Sequence, residues 1–243
     1  MNFSLRRSRN ISYNYCFNDT TIDCEKQIKD LGVYYTSNMS FELHITNIVK
    51  KSFRMIGFVK RIMKPFSNTK VLLTLYNSYI RSRLDYCSPV WSPSAQYLID
   101  KLERVQRKFL KHLAFQNRLQ YDDYTYVELC NHFKVSTLEA RRSISDITYF
   151  NKLMTNNINS PPLTSCVYLS IPAIRRNTLS LSLRSGQSKD KSLFCTLKKS
   201  RLKIRKSSYF PRTTAIANSL RDDVNVFDTN VASFKRSVSI YFI

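Results

Sequence analysis

Two adjacent carboxylates are the residues of this sequence best suited to metal-dependent chemistry. Asp122 and Asp123 lie between Tyr121 and Tyr124, and paired carboxylates can hold two divalent metal ions for in-line phosphoryl or nucleotidyl transfer. A metal site on a strand–turn–strand would need β-branched strands beside the two carboxylates. The sequence around Asp122 and Asp123 shows no such strand. The pattern therefore favours acids near a helix N-terminus, where carboxylates complement the helix dipole.

The histidines and cysteines do not form a recognisable catalytic or metal set. Cys130 and His132 offer two zinc ligands, but no second pair occurs at the spacing of a zinc site. The six cysteines include no Cys-x-x-Cys pair, so we interpret them as free thiols in a reducing compartment. A Gly-x-Ser-x-Gly nucleophile motif is also missing from the sequence. We expect no catalytic residue, metal site or cofactor in this chain.

The composition favours a polyanionic partner. The chain of 243 residues has 39 basic and 17 acidic side chains, a net charge of +22 and only three glycines. Glycine-rich phosphate loops are excluded by the sequence, and a charge this positive indicates nucleic acid or an anionic membrane surface. The longest uncharged apolar run, 71–80, is too short for a spanning helix, which needs about 20 residues. Without a secretory signal, we predict an intracellular protein, cytoplasmic or nuclear, that is not bound to membranes.

The positive charge is concentrated in two parts of the chain. Residues 1–40 carry a net charge of +1, 41–118 carry +11, 119–160 carry −1, and 161–243 carry +11. Two basic blocks therefore flank a neutral middle segment.

The first basic block contains an amphipathic helix with one cationic side. Apolar residues recur with helical spacing between Phe41 and Met63. Four cations fall within roughly 80° of one another on the opposite side, at about 100° per residue. These cations are Lys50, Arg54, Arg61 and Lys64.

A second helix, predicted over 94–115 with Ser94 as its N-cap, repeats this design. Its cations share a side away from the apolar stripe: Lys101, Arg104, Lys108 and Lys111. A more apolar helix over 69–86 lies between the two and carries Arg81 and Arg83.

Lysines on a solvated helix face are common, but an ordinary surface mixes both signs of charge. Because acids are scarce here, we interpret the ten cations as a nucleic-acid-binding set.

These patterns predict a mainly α fold. A short β-hairpin and a further short strand over Leu31–Tyr35, indicated by period-two alternation before residue 38, precede a bundle of amphipathic helices. The middle segment predicts two helices divided near 135–137, and 231–241 predicts a terminal helix. Between them lies a basic, partly irregular region. The run 198–206 in it is a phosphate-binding arm, a nuclear-localisation patch or a solvated loop.

A series of short motifs resembles one known family. In chain order they are Asp30-Leu31-Gly32-Val33, Met39-Ser40-Phe41, His44-Ile45, Leu75-Tyr76, Ile80-Arg81-Ser82, Leu84 to Pro93, Leu102-Glu103, Val105 to Phe109, Leu138 to Arg142, Phe210 to Thr213, Asn218-Ser219-Leu220 and Phe234-Lys235. Together they resemble the end of the palm, the thumb-like helices and the tail of reverse transcriptases of non-LTR, LINE-type and jockey-like retrotransposons. The resemblance spans roughly 28–243, and its specificity lies in the order of the motifs.

The resemblance implies a division of the chain and a role for it. Residues 1–38 would be a remnant of the palm, 39–156 a thumb-like domain, 157–208 a linker with a basic segment, and 209–243 the tail. The fingers, most of the palm and its Mg²⁺-binding Asp-Asp box would lie upstream. Where the family's tail usually has Trp before Asn-Ser-Leu, this chain has Ala217.

The sequence therefore predicts a non-catalytic C-terminal region of an RNA-directed DNA polymerase. It would bind the backbone of an RNA or DNA template–primer duplex, with the missing palm and fingers as a further partner. Neutralising about six phosphates would make the binding constant for duplex DNA fall with salt concentration, with a slope near −5 when both are plotted as logarithms. Two alternatives stay open: a stand-alone helical interaction protein, and a decayed transposon relic without activity.

Overall fold

The computed structural model describes residues 15–18, 20–63, 68–119, 124–169, 193–196, 203–220 and 223–242. These residues are mainly helical, and short antiparallel strand pairs precede the helices, which confirms the predicted fold class. The helices are α1 (Glu42–Ile62), α2 (Thr69–Leu75), α3 (Ser82–Asp85), α4 (Ser88–Trp91), α5 (Gln96–Gln116), α6 (Tyr126–His132), α7 (Leu138–Met154), α8 (Pro161–Thr164), α9 (Lys203–Lys206), α10 (Tyr209–Leu220) and α11 (Val231–Tyr241).

The strands form three separate antiparallel pairs. They are β1 (Cys16–Phe17) with β2 (Thr20–Thr21), β3 (Gln27–Asp30) with β4 (Val33–Thr36), and β5 (Val167–Leu169) with β6 (Phe194–Thr196). The predicted N-terminal hairpin is present as β1 and β2, while residues 1–14 of that prediction lie outside the described part. Leu31 and Gly32, expected to begin a strand, instead form the turn between β3 and β4. Their φ angles of 44° and 89° are incompatible with an extended strand.

The long helices begin and end close to the predicted positions, with one correction at a helix start. α5 begins at Gln96, and its N-cap is Ala95, which makes no side-chain capping hydrogen bond. The prediction that Ser94 caps this helix is therefore wrong. The division of the middle segment is confirmed, because α6 ends at His132 and α7 begins at Leu138.

The predicted helix over 69–86 is interrupted by a π-helical segment, Tyr76–Arg81, between α2 and α3. Hydroxyl side chains at three successive i+4 positions donate to backbone carbonyls one turn earlier: Thr74 to Lys70, Ser78 to Thr74, and Ser82 to Ser78. Such bonds compete with the helical backbone ladder and bend helices. Comparable bonds also occur in α7, α10 and α11, so they are compatible with the wider turn without accounting for it, and the apolar spacing did not reveal it.

The chain divides into two compact units, Met1–Glu139 and Ala140–Ile243. The first has a core built from β4 and helices α1 to α6, and the second has a core built from α7, β6, α10 and α11. This division differs from the predicted domains, because the boundary falls inside α7 and not at residue 157. Ile144, Ile147 and Phe150 of α7 pack with the C-terminal helices.

Several motifs that carry the resemblance meet in the first unit. The Tyr86 hydroxyl donates to the Leu31 carbonyl, with 3.0 Å between the oxygens. The indole Nε1 of Trp91 donates to the Tyr86 carbonyl at 2.8 Å, and the Trp91 ring lies 5.3 Å from the His44 ring, centroid to centroid. Trp91 is fully buried. These residues therefore have a structural role in joining the turn between β3 and β4 with α1 and α4.

The tail motif is packed into the second core. Ala217 and Leu220 of α10 are fully buried, so α10 packs closely against its neighbours at these positions. The Asn218 amide exchanges two hydrogen bonds of 2.9 Å with the backbone of Phe194 on β6.

Candidate nucleic-acid interface

The two helices that carry most of the predicted binding residues lie side by side. Three side-chain contacts join them: Glu42 with Tyr97, Thr46 with Lys101, and Phe53 with Lys108. In each contact the partners are 55 residues apart, as between Thr46 and Lys101. α1 and α5 are therefore parallel, and they are in register over residues 42–53 of α1 and 97–108 of α5, a length of about 17 Å at 1.5 Å per residue.

The line along which α1 and α5 meet is called the seam here, and it contains two of the predicted cations. Lys101 Nζ donates to Thr46 Oγ1 at 2.9 Å. Lys108 Nζ lies 5.2 Å from the centroid of the Phe53 ring, a cation–π contact. The side chains of Lys101 and Lys108 therefore link the helices as well as adding positive charge.

Exposed cations flank the seam on the solvent side of both helices. Arg104 and Lys111 lie within about 20° of each other on α5, turned outward from Lys101 and Lys108 by about 60°. On α1 the corresponding residues are Lys50, Arg54 and Arg61. All five side chains are exposed. We call this surface, formed by Lys50, Arg54, Arg61, Arg104 and Lys111, the basic face. Lys64, predicted to extend it, lies outside the described residues.

The charges of the basic face are not neutralised by neighbouring acids. Among the residues that the structure describes, no ion pair joins any of the five cations to a carboxylate. Glu42 bonds to Tyr97, and Asp100 accepts a hydrogen bond from Gln96 at 3.0 Å. A concentration of unpaired positive charge on two adjacent helices attracts a polyanion.

Glu103, which interrupts the cationic pattern of α5 in the sequence, points away from the basic face. It is 7% exposed and accepts hydrogen bonds from the backbone N–H groups of Leu138 and Glu139 and from the Tyr126 hydroxyl. Burial, followed by the Glu103 carboxylate, raises the pKa of Tyr126 well above its ordinary value. Glu103 thus anchors the start of α7 without reducing the charge of the basic face.

Two residues that the sequence pattern did not single out also lie at the seam. Burial, followed by the Lys60 ammonium, lowers the pKa of His112, and burial, followed by Lys108, lowers the pKa of Lys60. Lys60 falls about 80° from Lys50 around α1, outside the arc that defined the predicted set. Only the packing of α1 on α5 brings Lys60 to these partners.

The remaining predicted cations lie between the two long helices in sequence and not on them. Arg81 is in the π-helical segment, and its Nε lies 4.0 Å from an Asp85 carboxylate oxygen. Arg83 is half-buried in α3. The pairing with Asp85 reduces the charge that Arg81 offers to a ligand.

The residues considered for metal chemistry fall into two groups. Asp122 and Asp123 lie outside the described residues. Cys130 is buried and His132 is exposed, so this pair does not converge on one point. Within the described ranges, no three His, Cys, Asp or Glu side chains are grouped closely enough to hold a metal ion.

Among the helices that the structure describes, none has the length and apolar character needed to cross a membrane.

Comparison with known proteins adds one distant relative. The chain is similar to the uncharacterized protein B0403.1 of Caenorhabditis elegans, with 20% identity over 139 residues, which is 57% of this chain and 69% of that protein. No protein-family model and no solved structure matches the chain. The function must therefore be argued from the basic face itself.

Proposed function

We propose that the basic face binds the sugar–phosphate backbone of nucleic acid without reading its base sequence. The observation that carries this proposal is the in-register, parallel packing of α1 and α5, which combines two separate rows of cations into one surface. Exposed lysines and arginines that lack acidic partners bind phosphates mainly by releasing condensed counterions.

The dimensions of the basic face suit several phosphates of one strand. Lys50 and Arg61 are separated by about 16 Å along α1, at 1.5 Å per residue. A strand of duplex DNA places one phosphate about every 3.4 Å along the helix axis. The basic face is therefore long enough to meet several phosphates of a duplex.

This role agrees with the one that the sequence resemblance implies. Thumb-like helices of a polymerase hold the template–primer duplex through its backbone, so the contacts do not depend on sequence. We propose that the chain serves as a non-catalytic, thumb-like region of a non-LTR-type reverse transcriptase, with the palm and fingers as its protein partner. The order of the sequence motifs supports this identity.

The proposal is tested by measuring how the affinity for a labelled DNA duplex depends on salt. With five phosphates neutralised, we expect a log–log slope of about −4.5 for the wild-type chain. Replacing Lys50, Arg54 and Arg61 together by Glu should leave two contacts and a slope of about −2. Circular dichroism spectra should be unchanged, because all three side chains are exposed.

A triple variant outside the basic face provides the matched control. Replacing Lys134, Lys235 and Arg236 by Glu alters the net charge by the same amount at exposed positions, and it should preserve the steep slope. If both triple variants weaken binding equally, total charge and not the basic face is responsible, and the proposal is wrong. Salt-independent binding would favour a protein partner instead.

A further inference from the structure

An exposed phenylalanine ring lies on α1 beside the basic face. Phe58 is 50% exposed, and around the helix it lies about 40° from Arg54 and about 60° from Arg61 at 100° per residue. Among the residues that the structure describes, none makes an aromatic or cation–π contact with its ring. Phe53 on the same helix, by contrast, already contacts Lys108. The ring of Phe58 is therefore accessible to a ligand.

Phe58 does not belong to the apolar stripe by which α1 packs on the core. Ile56 and Val59 of that stripe are buried, and they lie about 160° and 100° from Phe58 around the helix. A second apolar residue, Ile62, is 51% exposed one turn further on and about 40° away. Phe58 and Ile62 therefore form a small exposed apolar patch at the edge of the basic face.

The basic face has a second exposed ring at the same end. Phe115 of α5 is 66% exposed, one turn after Lys111 and about 40° from it around the helix. Phe58 follows Phe53 by five residues and Phe115 follows Lys108 by seven. Since Phe53 and Lys108 touch each other across the seam, both rings lie within about 11 Å of that contact along the axes of the parallel helices.

The charge around Phe58 determines which partner fits this surface. Between residues 50 and 62, α1 has five basic residues and no acidic one. Lys51 and Arg54 are exposed two turns and one turn before Phe58, and Arg61 is exposed one turn after it. A matching partner has a flat apolar group flanked by negative charges. Unpaired nucleotides have both, because each base has a π-face and each linkage carries a phosphate.

We propose that unpaired bases stack on Phe58 and Phe115 while the phosphates of the same strand lie on the basic face. This inference rests on the proposed function and specifies its substrate: nucleic acid with a single-stranded segment. A fully paired duplex keeps its base faces stacked inside the helix and cannot make these contacts. Stacking of bases on aromatic rings tolerates any sequence, so it agrees with binding that does not read the bases.

The experiment compares two fluorescent probes by anisotropy at one salt concentration, using the full chain. The probes are an oligodeoxythymidylate and a fully paired DNA duplex of the same length. Phe58→Ala and Phe115→Ala should each raise the Kd for the single strand by about fivefold or more, and change the Kd for the duplex by less than about twofold. The matched control is Tyr79→Ala, which removes an exposed ring of the π-helical segment and should change neither Kd.

Two further variants separate stacking from simple burial of an apolar side chain. Phe58→Leu should bind the single strand as weakly as Phe58→Ala, because it keeps an apolar group but has no ring. Phe58→Trp should bind tightly, and a stacked base should quench the emission of the added indole. Trp91 is fully buried and gives a constant background. Circular dichroism spectra should match the wild type in each case, since Phe58 is exposed.

Equal losses of affinity for both probes, or no loss, in Phe58→Ala or Phe115→Ala overturn the inference. Wild-type affinity of Phe58→Leu for the single strand also overturns it, because an apolar contact without a ring would then suffice. In these cases a steep wild-type salt slope with the duplex would still support the proposed function. A flat wild-type slope would contradict the proposed function itself.

Discussion

Glu103 is predicted to be the polar residue on which the first unit depends most. Its carboxylate accepts N–H hydrogen bonds from Leu138 at 3.2 Å and Glu139 at 2.7 Å, and a further bond from the Tyr126 hydroxyl. The Tyr126 oxygen in turn accepts a hydrogen bond of 3.0 Å from Gln106. In Glu103→Ala, two N–H groups at the start of α7 and one hydroxyl lose their acceptor.

The expected cost is large relative to the stability of a small domain. Hydrogen bonds to a charged group contribute about 1.5–3 kcal/mol each, and bonds that share one carboxylate are not fully additive. We therefore expect Glu103→Ala to lower the free energy of unfolding by about 4 kcal/mol. Total stabilities are about 5–15 kcal/mol, so this variant should be only marginally folded.

The assay is urea denaturation followed by tryptophan fluorescence. Trp91 is the only tryptophan of the chain, and it is buried in the first core, so its emission reports on this unit. The matched control is Asp100→Ala on the same helix. Asp100 is exposed and bonds only to Gln96 among the described residues, so its loss should change stability by less than about 0.5 kcal/mol. A cost below about 1 kcal/mol for Glu103→Ala would refute the reasoning.

Two further predictions concern residues of α1. Gly57→Ala should raise the free energy of unfolding by about 1 kcal/mol, because glycine is unfavourable inside a helix. The added Cβ would meet nothing within 4 Å. A loss of stability in urea titrations would contradict this prediction. Burial, followed by Lys51, lowers the pKa of His44, and its Nδ1 accepts the Tyr34 N–H. The folded protein should therefore lose stability as the pH falls below about 6.5, the ordinary histidine value. His44→Gln should remove this part of the pH dependence, and an identical profile in both proteins would show that His44 does not titrate as inferred.

The sequence predicted the elements of the first unit well where one physical signal dominated. Apolar spacing determined α1 and α5, since burial of one helix stripe is the main driving force for their formation. The same reasoning did not detect the π-helical segment Tyr76–Arg81, because apolar spacing reports which side of a helix is buried and not how its backbone hydrogen bonds are paired. It also placed Leu31 and Gly32 in a strand, because alternation does not report positive φ angles.

The candidate site was only partly accessible from sequence. The pattern identified cations on each helix as a group, but it did not distinguish Lys101 and Lys108 at the seam from the outward Arg104 and Lys111. That distinction depends on where α1 lies against α5, and the 55-residue register is a long-range property. Lys60 was missed for the same reason.

By itself, the amino-acid sequence determined a helical, strongly basic chain with cations and apolar residues on opposite sides of two helices. Charge and helical periodicity are local properties, so they can be deduced without knowing how the chain packs. Only the tertiary structure decided that the two helices are parallel neighbours, that Glu103 faces the core, and that burial and the Lys60 ammonium lower the pKa of His112. Each of these depends on contacts between residues distant in sequence, which packing of the apolar stripes brings together.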